Sequence, residues 1–131
     1  MKIPPEIKKA ILESDNKALA TSGKDGLNVV PVSTIFIKRE KIILVNYFFN
    51  KTAENVMANP KVSLVCWKGF QGYQIKGMCQ YLTDEKILFP VKKWAAVKFP
   101  QRTVTAILSI SPEMIYEVAA KENSGKLIWS S

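Results

Sequence analysis

The sequence predicts a mainly β fold, an antiparallel β-barrel with peripheral helices. Three observations support it. Short apolar segments with strand character recur at close spacing, separated by turn residues. Only brief stretches between them carry helical spacing. A parallel α/β sheet needs a long crossover helix after nearly every strand, and those helices are missing. The 131 residues fit one domain over 1–131. Folding at this length buries about two thirds of the surface the unfolded chain exposes, enough for a core without disulfides.

Each element has its own signal. Pro4-Pro5 followed by Ile7, Ala10 and Ile11 reads as a short amphipathic helix with proline in its first turn. Lys17 to Ser22 and Leu27 to Ser33 read as a hairpin across Gly23-Lys24-Asp25-Gly26. Pro31 has no N–H to give a ladder, so an edge or a bulge is expected there. Thr34 to Lys38 continues extended, Lys38 to Lys41 turns, and Ile42 to Asn46 is the next strand. Thr52 to Asn59 reads as a short helix with Ala53, Val56 and Met57 on one face and Pro60 as its stop. Val62 to Trp67 and Tyr73 to Leu82 pair across Gly69 to Gly72. Thr83-Asp84 caps a helix carrying Ile87, Val91, Trp94 and Ala95, which Pro90 is expected to kink or split. Val104 to Ser111 and Met114 to Val118 read as strands joined by a turn at Ser111-Pro112-Glu113, the second of them the last strand. The segment from Ala120 to Ser131 is polar until Leu127-Ile128-Trp129.

Composition narrows the chemistry. An apolar fraction of 47% and a charged fraction of 23% are ordinary for a soluble globular protein. No stretch approaches the roughly 20 apolar residues that span a bilayer. Lys2, Glu6, Lys8, Lys9 and Glu13 charge the first segment too heavily for a signal peptide. A cytoplasmic protein with no membrane partner is therefore expected. Histidine is absent, which removes Ser-His-Asp and Cys-His catalysis and His-ligated zinc or haem. No metal site is expected and no side chain is nominated as catalytic. Cys66 and Cys79 lie in apolar strands without a C-x-x-C pair and read as buried reduced thiols. The net charge of +8 favours an anionic partner: nucleic acid, an acidic protein or a phosphorylated cofactor. The lysines are scattered, so a solvated basic surface explains the charge equally well.

The informative stretch runs from Ile43 to Asn59. A strand ends in Asn46-Tyr47-Phe48-Phe49, and Asn50-Lys51-Thr52 opens a helix. The first N–H groups of a helix lack internal partners, and the helix dipole favours negative charge there. Lys51 adds an ammonium and Thr52 a hydroxyl, a combination suited to a phosphate. The plainer reading is that Asn50 or Thr52 only caps the helix and Lys51 is a solvated side chain. Successive strand side chains alternate, so three aromatics in a row cannot all face inward. At least one of Tyr47, Phe48 and Phe49 is expected to face a ligand or a partner.

The segment Asn50-Lys51-Thr52-x-x-Asn55-Val56, followed by Asn59-Pro60-Lys61-Val62, resembles a stretch of the pyridoxamine 5′-phosphate oxidase-like split barrels that bind flavin mononucleotide (FMN). The likeness runs from the hairpin at Lys17 to Ile37 to the strand Gly72-Tyr73-x-Ile75-x-Gly77, and is nearest to the small FMN-binding proteins of that superfamily. It implies an antiparallel split β-barrel of the FMN-binding type. It implies that Asn50, Lys51 and Thr52 hold the FMN phosphate. Asn46, Tyr47 and Phe48 then form the strand end whose backbone faces the flavin ring, and Val32, Ser33 and Thr34 line the ribityl chain and ring. It further implies a homodimer with the flavin at the subunit interface, where Trp94 or Phe99 reaches the partner's flavin or, for Trp94, stays in the helix core. The arginine and histidine that grip substrate in true pyridoxamine phosphate oxidases have no counterpart from Glu122 to Ser131. The expectation is a redox flavoprotein passing electrons or hydride to a small-molecule or protein partner. A deazaflavin-dependent reductase on the same barrel is one alternative. A nucleic-acid-binding barrel without activity, using Trp67, Phe70 and Tyr73 near Lys68 and Lys76, is another, and no nucleic-acid partner is the favoured reading.

Overall fold

The structure is a computed structural model that describes residues 2–122 and 124–131. Among these residues lie three helices, α1 (Pro5–Glu13), α2 (Lys51–Ala58) and α3 (Glu85–Lys98). The strands are β1 (Asn16–Gly23), β2 (Gly26–Pro31), β3 (Ile35–Lys38), β4 (Lys41–Asn46), β5 (Lys61–Lys68), β6 (Gln71–Leu82), β7 (Ala106–Ala119) and β8 (Leu127–Ser130). All pairings are antiparallel, in the order β2-β1-β5-β6-β7-β4-β3, with β8 beside β7.

The long β6–β7 ribbon is the spine. One edge of β7 pairs with β6 from Leu82↔Ile107 to Gln71↔Ala119. Its other edge is divided. Ala106 to Ile110 pair with β4, and Met114 to Tyr116 pair with β8. The terminal strands β2 and β3 are consecutive in sequence and do not pair with each other. Val32 to Thr34 links them: the Val32 amide donates to the Lys17 carbonyl at 3.0 Å, and the Val45 amide to the Thr34 carbonyl at 3.4 Å. The result is an antiparallel split barrel.

Alternation sorts the core into two layers. Ile42, Leu44, Leu64, Ile75, Leu108, Ile110 and Ile115 are fully buried together, with Ile3, Ile7 and Ile11 of the α1 region against them. Val45 and Ile107, on the opposite faces of β4 and β7, pack instead with Leu88 and Ala95 of α3.

Four local expectations are corrected. The second strand stops at Pro31 rather than Ser33, although β2 is an edge strand as Pro31 requires. Ser111-Pro112-Glu113 is not a turn. It lies inside β7, where Pro112 faces Gly77 and the register slips between Lys76 and Gly77. The bulge absorbs the missing N–H, and Gly77 permits it, since a Cβ there would lie 2.2 Å from the Ser111 carbonyl oxygen. Helix α3 is not split at Pro90 but runs on to Lys98. Its buried Leu88 and Ala95 hold both halves to the sheet, offsetting the lost backbone bond. Leu127–Ser130 forms a further strand, β8, beside β7, beyond the strand expected to be the last.

Cys66 and Cys79 are free and buried in the main core. Burial pushes the Cys66 thiol up to about 11 and the Cys79 thiol up to about 12. Both folded values lie above the ordinary 9.0, so the thiols favour the fold fully below that pH and lose this contribution as pH rises through 11 and 12. Urea midpoints are expected to fall steadily above pH 9, less steeply in Cys79→Ala after correction for its lost packing. At pH 8 a thiol-specific disulfide reagent should leave the folded protein unmodified and label both cysteines in denaturant.

Candidate functional site

Asn46 ends β4 and is 1% exposed. Its Oδ1 accepts the Phe49 amide at 2.6 Å, and its Nδ2 donates to the Phe49 carbonyl at 3.2 Å and the Tyr81 hydroxyl at 2.9 Å. Its backbone carbonyl accepts both the amide and the hydroxyl of Thr105, at 2.9 and 3.0 Å. One buried side chain thus shapes the turn through Phe49. Along that turn Tyr47 is buried, Phe48 is 74% exposed, and Phe49 packs on the main core. The expected outward aromatic is Phe48.

Tyr47 gathers a second group. Its hydroxyl lies 3.0 Å from Thr34 Oγ1, and its ring meets Phe99 edge-on at 5.9 Å. The Arg102 guanidinium sits 4.2 Å from the Phe99 centroid and 5.2 Å from that of Tyr47, and donates to Ser33 Oγ at 3.1 Å. Ser33, Thr34 and Tyr47 therefore meet, while Val32 is buried in the main core. Trp94 stacks edge-on against Phe36 at 4.9 Å within the α3 layer, the helix-core position.

Helix α2 opens beside the β1–β2 hairpin. Asn50 is its N-cap residue but makes no side-chain cap, contrary to the plainer reading of that residue. The Asn50 carbonyl accepts the Glu54 amide at 3.1 Å, so the first bond of the helix closes behind the opening turn. Thr52 is 1% exposed, and its Oγ1 accepts a bond from Asn28 Nδ2 at 3.1 Å. Asn55 donates to the Thr21 hydroxyl at 3.1 Å. Gly23 makes room for it: a Cβ there would come within 2.0 Å of Asn55 Oδ1. Lys51 Nζ donates to Asp25 Oδ2 at 2.7 Å and to Glu54 Oε2 at 3.5 Å. The hydrogen bond to Asp25 raises the Lys51 pKa, so the ammonium stays charged.

On this shelf the Lys51 ammonium and a helix start without a side-chain cap stand at the surface, while the Thr52 hydroxyl is buried beside them against Asn28. Asn50, Lys51 and Thr52 do not line the grooves found beside α1, β2, α2 and α3. Sequence reading missed Asn28, Asp25 and Thr21 as supports of α2, and Arg102 and Tyr81 as neighbours of the strand end. Arg102 carried a signal, being one of two arginines in the chain. Of the aromatics offered for nucleic acid, Tyr73 packs on the core and Lys76 covers the Tyr116 ring at 5.2 Å, leaving Trp67 and Phe70 outward. Among the described residues no group of three or more His, Cys, Asp or Glu could hold a metal, and no helix is long and apolar enough to cross a membrane.

Residues 3–119 match the family model described as pyridoxamine 5′-phosphate oxidase. The chain belongs to that family. An uncharacterized protein of Methanocaldococcus jannaschii is 29% identical over 98% of this chain and 89% of its own length. The crystal structure of HupZ from Group A Streptococcus superposes with a TM-score of 0.76 at 23% identity, covering 94% of this chain and 99% of that one. An FMN-binding protein of Syntrophomonas wolfei gives 0.74 at 15% identity over 88% and 86%. An F420 reductase gives 0.66 at 17% over 86% and 98%. At these identities the three structures establish that the oxidase-family fold is shared.

Asn46→Ala would remove the buried partner of the Phe49 amide and of the Tyr81 hydroxyl, both partly buried groups. At about 1–3 kcal/mol for each orphaned group, the variant is expected to lose about 2–5 kcal/mol of stability by urea titration.

Proposed function

We propose that this protein is an FMN-binding redox protein whose phosphate site is the start of α2. The observation that carries the reading is the uncapped opening turn of that helix, flanked by the charged Lys51 and the buried Thr52 hydroxyl. Thr52 Oγ1 already accepts a bond from Asn28, so its own hydrogen is directed elsewhere and can donate to an anion. An exposed lysine–carboxylate pair contributes little, so Asp25 yields Lys51 readily to a dianion. The donor set fits a phosphate monoester: an ammonium, a hydroxyl and free helix amides.

Under this reading Asn50, Lys51 and Thr52 hold the phosphate, and Val32, Ser33, Thr34, Asn46, Tyr47 and Phe48 line the isoalloxazine and ribityl parts. When bound, the flavin supplies reversible uptake of electrons or hydride. The chain's own groups orient it and exclude water. Asn46 fixes the turn that presents Phe48, and Arg102 brings positive charge beside Ser33 and Tyr47. The protein acts as a homodimer in the cytoplasm, with the flavin at the subunit interface. Leu27, 89% exposed, and Val29, 68% exposed, on edge strand β2 supply apolar surface for the second copy. A donor or acceptor of small-molecule or protein class completes the cycle.

The shared fold with an F420 reductase supports a second reading, in which a deazaflavin occupies the same phosphate site. Parallel titrations with FMN and F420 separate the two.

Purified protein incubated with FMN is expected to retain a yellow chromophore through gel filtration and to bleach on reduction. Colourless protein would refute the reading. Lys51→Ala is expected to weaken FMN at least tenfold while shifting the melting temperature of the unliganded protein by less than about 2 °C, since its ion pairs are exposed.

A further inference from the structure

A separate groove lies between α3 and the outward face of the sheet. We propose that it binds an amphipathic carboxylate, with the apolar body against Trp94 and the acid on Lys38. The cavity measures about 430 Å³, within the range of about 300–1,000 Å³ typical of small-molecule sites. Its walls are Phe36, Ile43, Leu82, Val91, Trp94 and Ile107. The strand residues among them, Phe36, Ile43, Leu82 and Ile107, face outward by alternation, since Ile42, Leu44, Leu108 and Ile110 fill the barrel interior, and Val91 and Trp94 come from α3. The helix does not fill the space over them. Leu88 and Ala95 reach the sheet, whereas Ile87 stands at the rim 41% exposed. Pro90 lines the groove as well, and the flat face it presents carries no N–H.

Charge selects the ligand. Lys38 is the sole charged residue lining the groove, and among the described residues no carboxylate pairs with it. The acid in the first turn of α3, Glu85, is held by Lys92 at 3.0 Å. An anion at the mouth therefore meets an unpaired ammonium on a chain of net charge +8. An aryl or branched alkyl carboxylate satisfies both the walls and the cation, and a neutral apolar molecule satisfies only the walls. None of the residues proposed to hold FMN lines this groove, so the inference stands independently of that reading.

The test is isothermal titration calorimetry of the full chain with 1-naphthoate, and with 1-naphthalenemethanol as its neutral counterpart, at low ionic strength. Wild type is expected to bind naphthoate saturably and at least fivefold more tightly than the alcohol. Lys38→Met should remove that preference while leaving the alcohol's affinity within twofold. Ile87→Glu, at an exposed rim position, should weaken naphthoate more than tenfold. Circular dichroism melts establish that both variants fold. The salt dependence of the wild-type preference tests the same cation without any substitution. Absence of saturable binding, equal affinity for the two compounds in wild type, or binding unaffected by both variants would overturn the proposal. So would a groove blocked in the protein's native oligomer and opened only on dilution to monomer, which would make its occupant a second copy of the chain.

Discussion

A strand has two edges, and the way β7 uses them decides the rest of the molecule. One edge belongs to β6 along almost the whole strand. The other is shared, because β4 runs out at Asn46 beside Ala106 and β8 takes the far half. The sheet consequently never closes on itself. The chain must leave it at Asn46, and it does so through a turn that a buried amide holds by three bonds. Everything of chemical interest follows from that exit: the aromatics Tyr47 and Phe48, then the opening of α2 against the first hairpin.

The shelf at α2 is built from polar groups that satisfy one another without using all their capacity. Asn28 and Thr21 anchor Thr52 and Asn55, both buried, to the β1–β2 hairpin. Those bonds fix where the helix begins. Lys51, one residue earlier, remains outside the core with only exposed carboxylates for company. A helix start held in place yet capped by no side chain suits the anion proposed for it.

Much of this was legible in the chain itself. Short apolar segments bounded by turn residues located the strands from Lys17 to Leu82, and the Asn50-Lys51-Thr52 helix start was read from residue types and spacing alone. What was illegible depends on contacts distant in sequence. Pro112 reads locally as a turn, and only the Gly77 opposite it turns that signal into a bulge. Pro90 reads as a helix break, yet the apolar face of α3 is held on both sides of it. The role of Arg102 depends on Ser33 and on two aromatic rings brought together by the fold. Asn28 and Asp25 look like ordinary hairpin residues until α2 packs on them.

The central claim is that a phosphate, rather than a flavin ring alone, is recognised at the opening of α2. Equilibrium titration with FMN and with riboflavin measures this directly, since the two ligands differ only by that group. FMN is expected to bind at least a hundredfold more tightly, with most of the difference lost in Thr52→Val. Equal affinities for the two ligands, or a preference that survives that substitution intact, would contradict it.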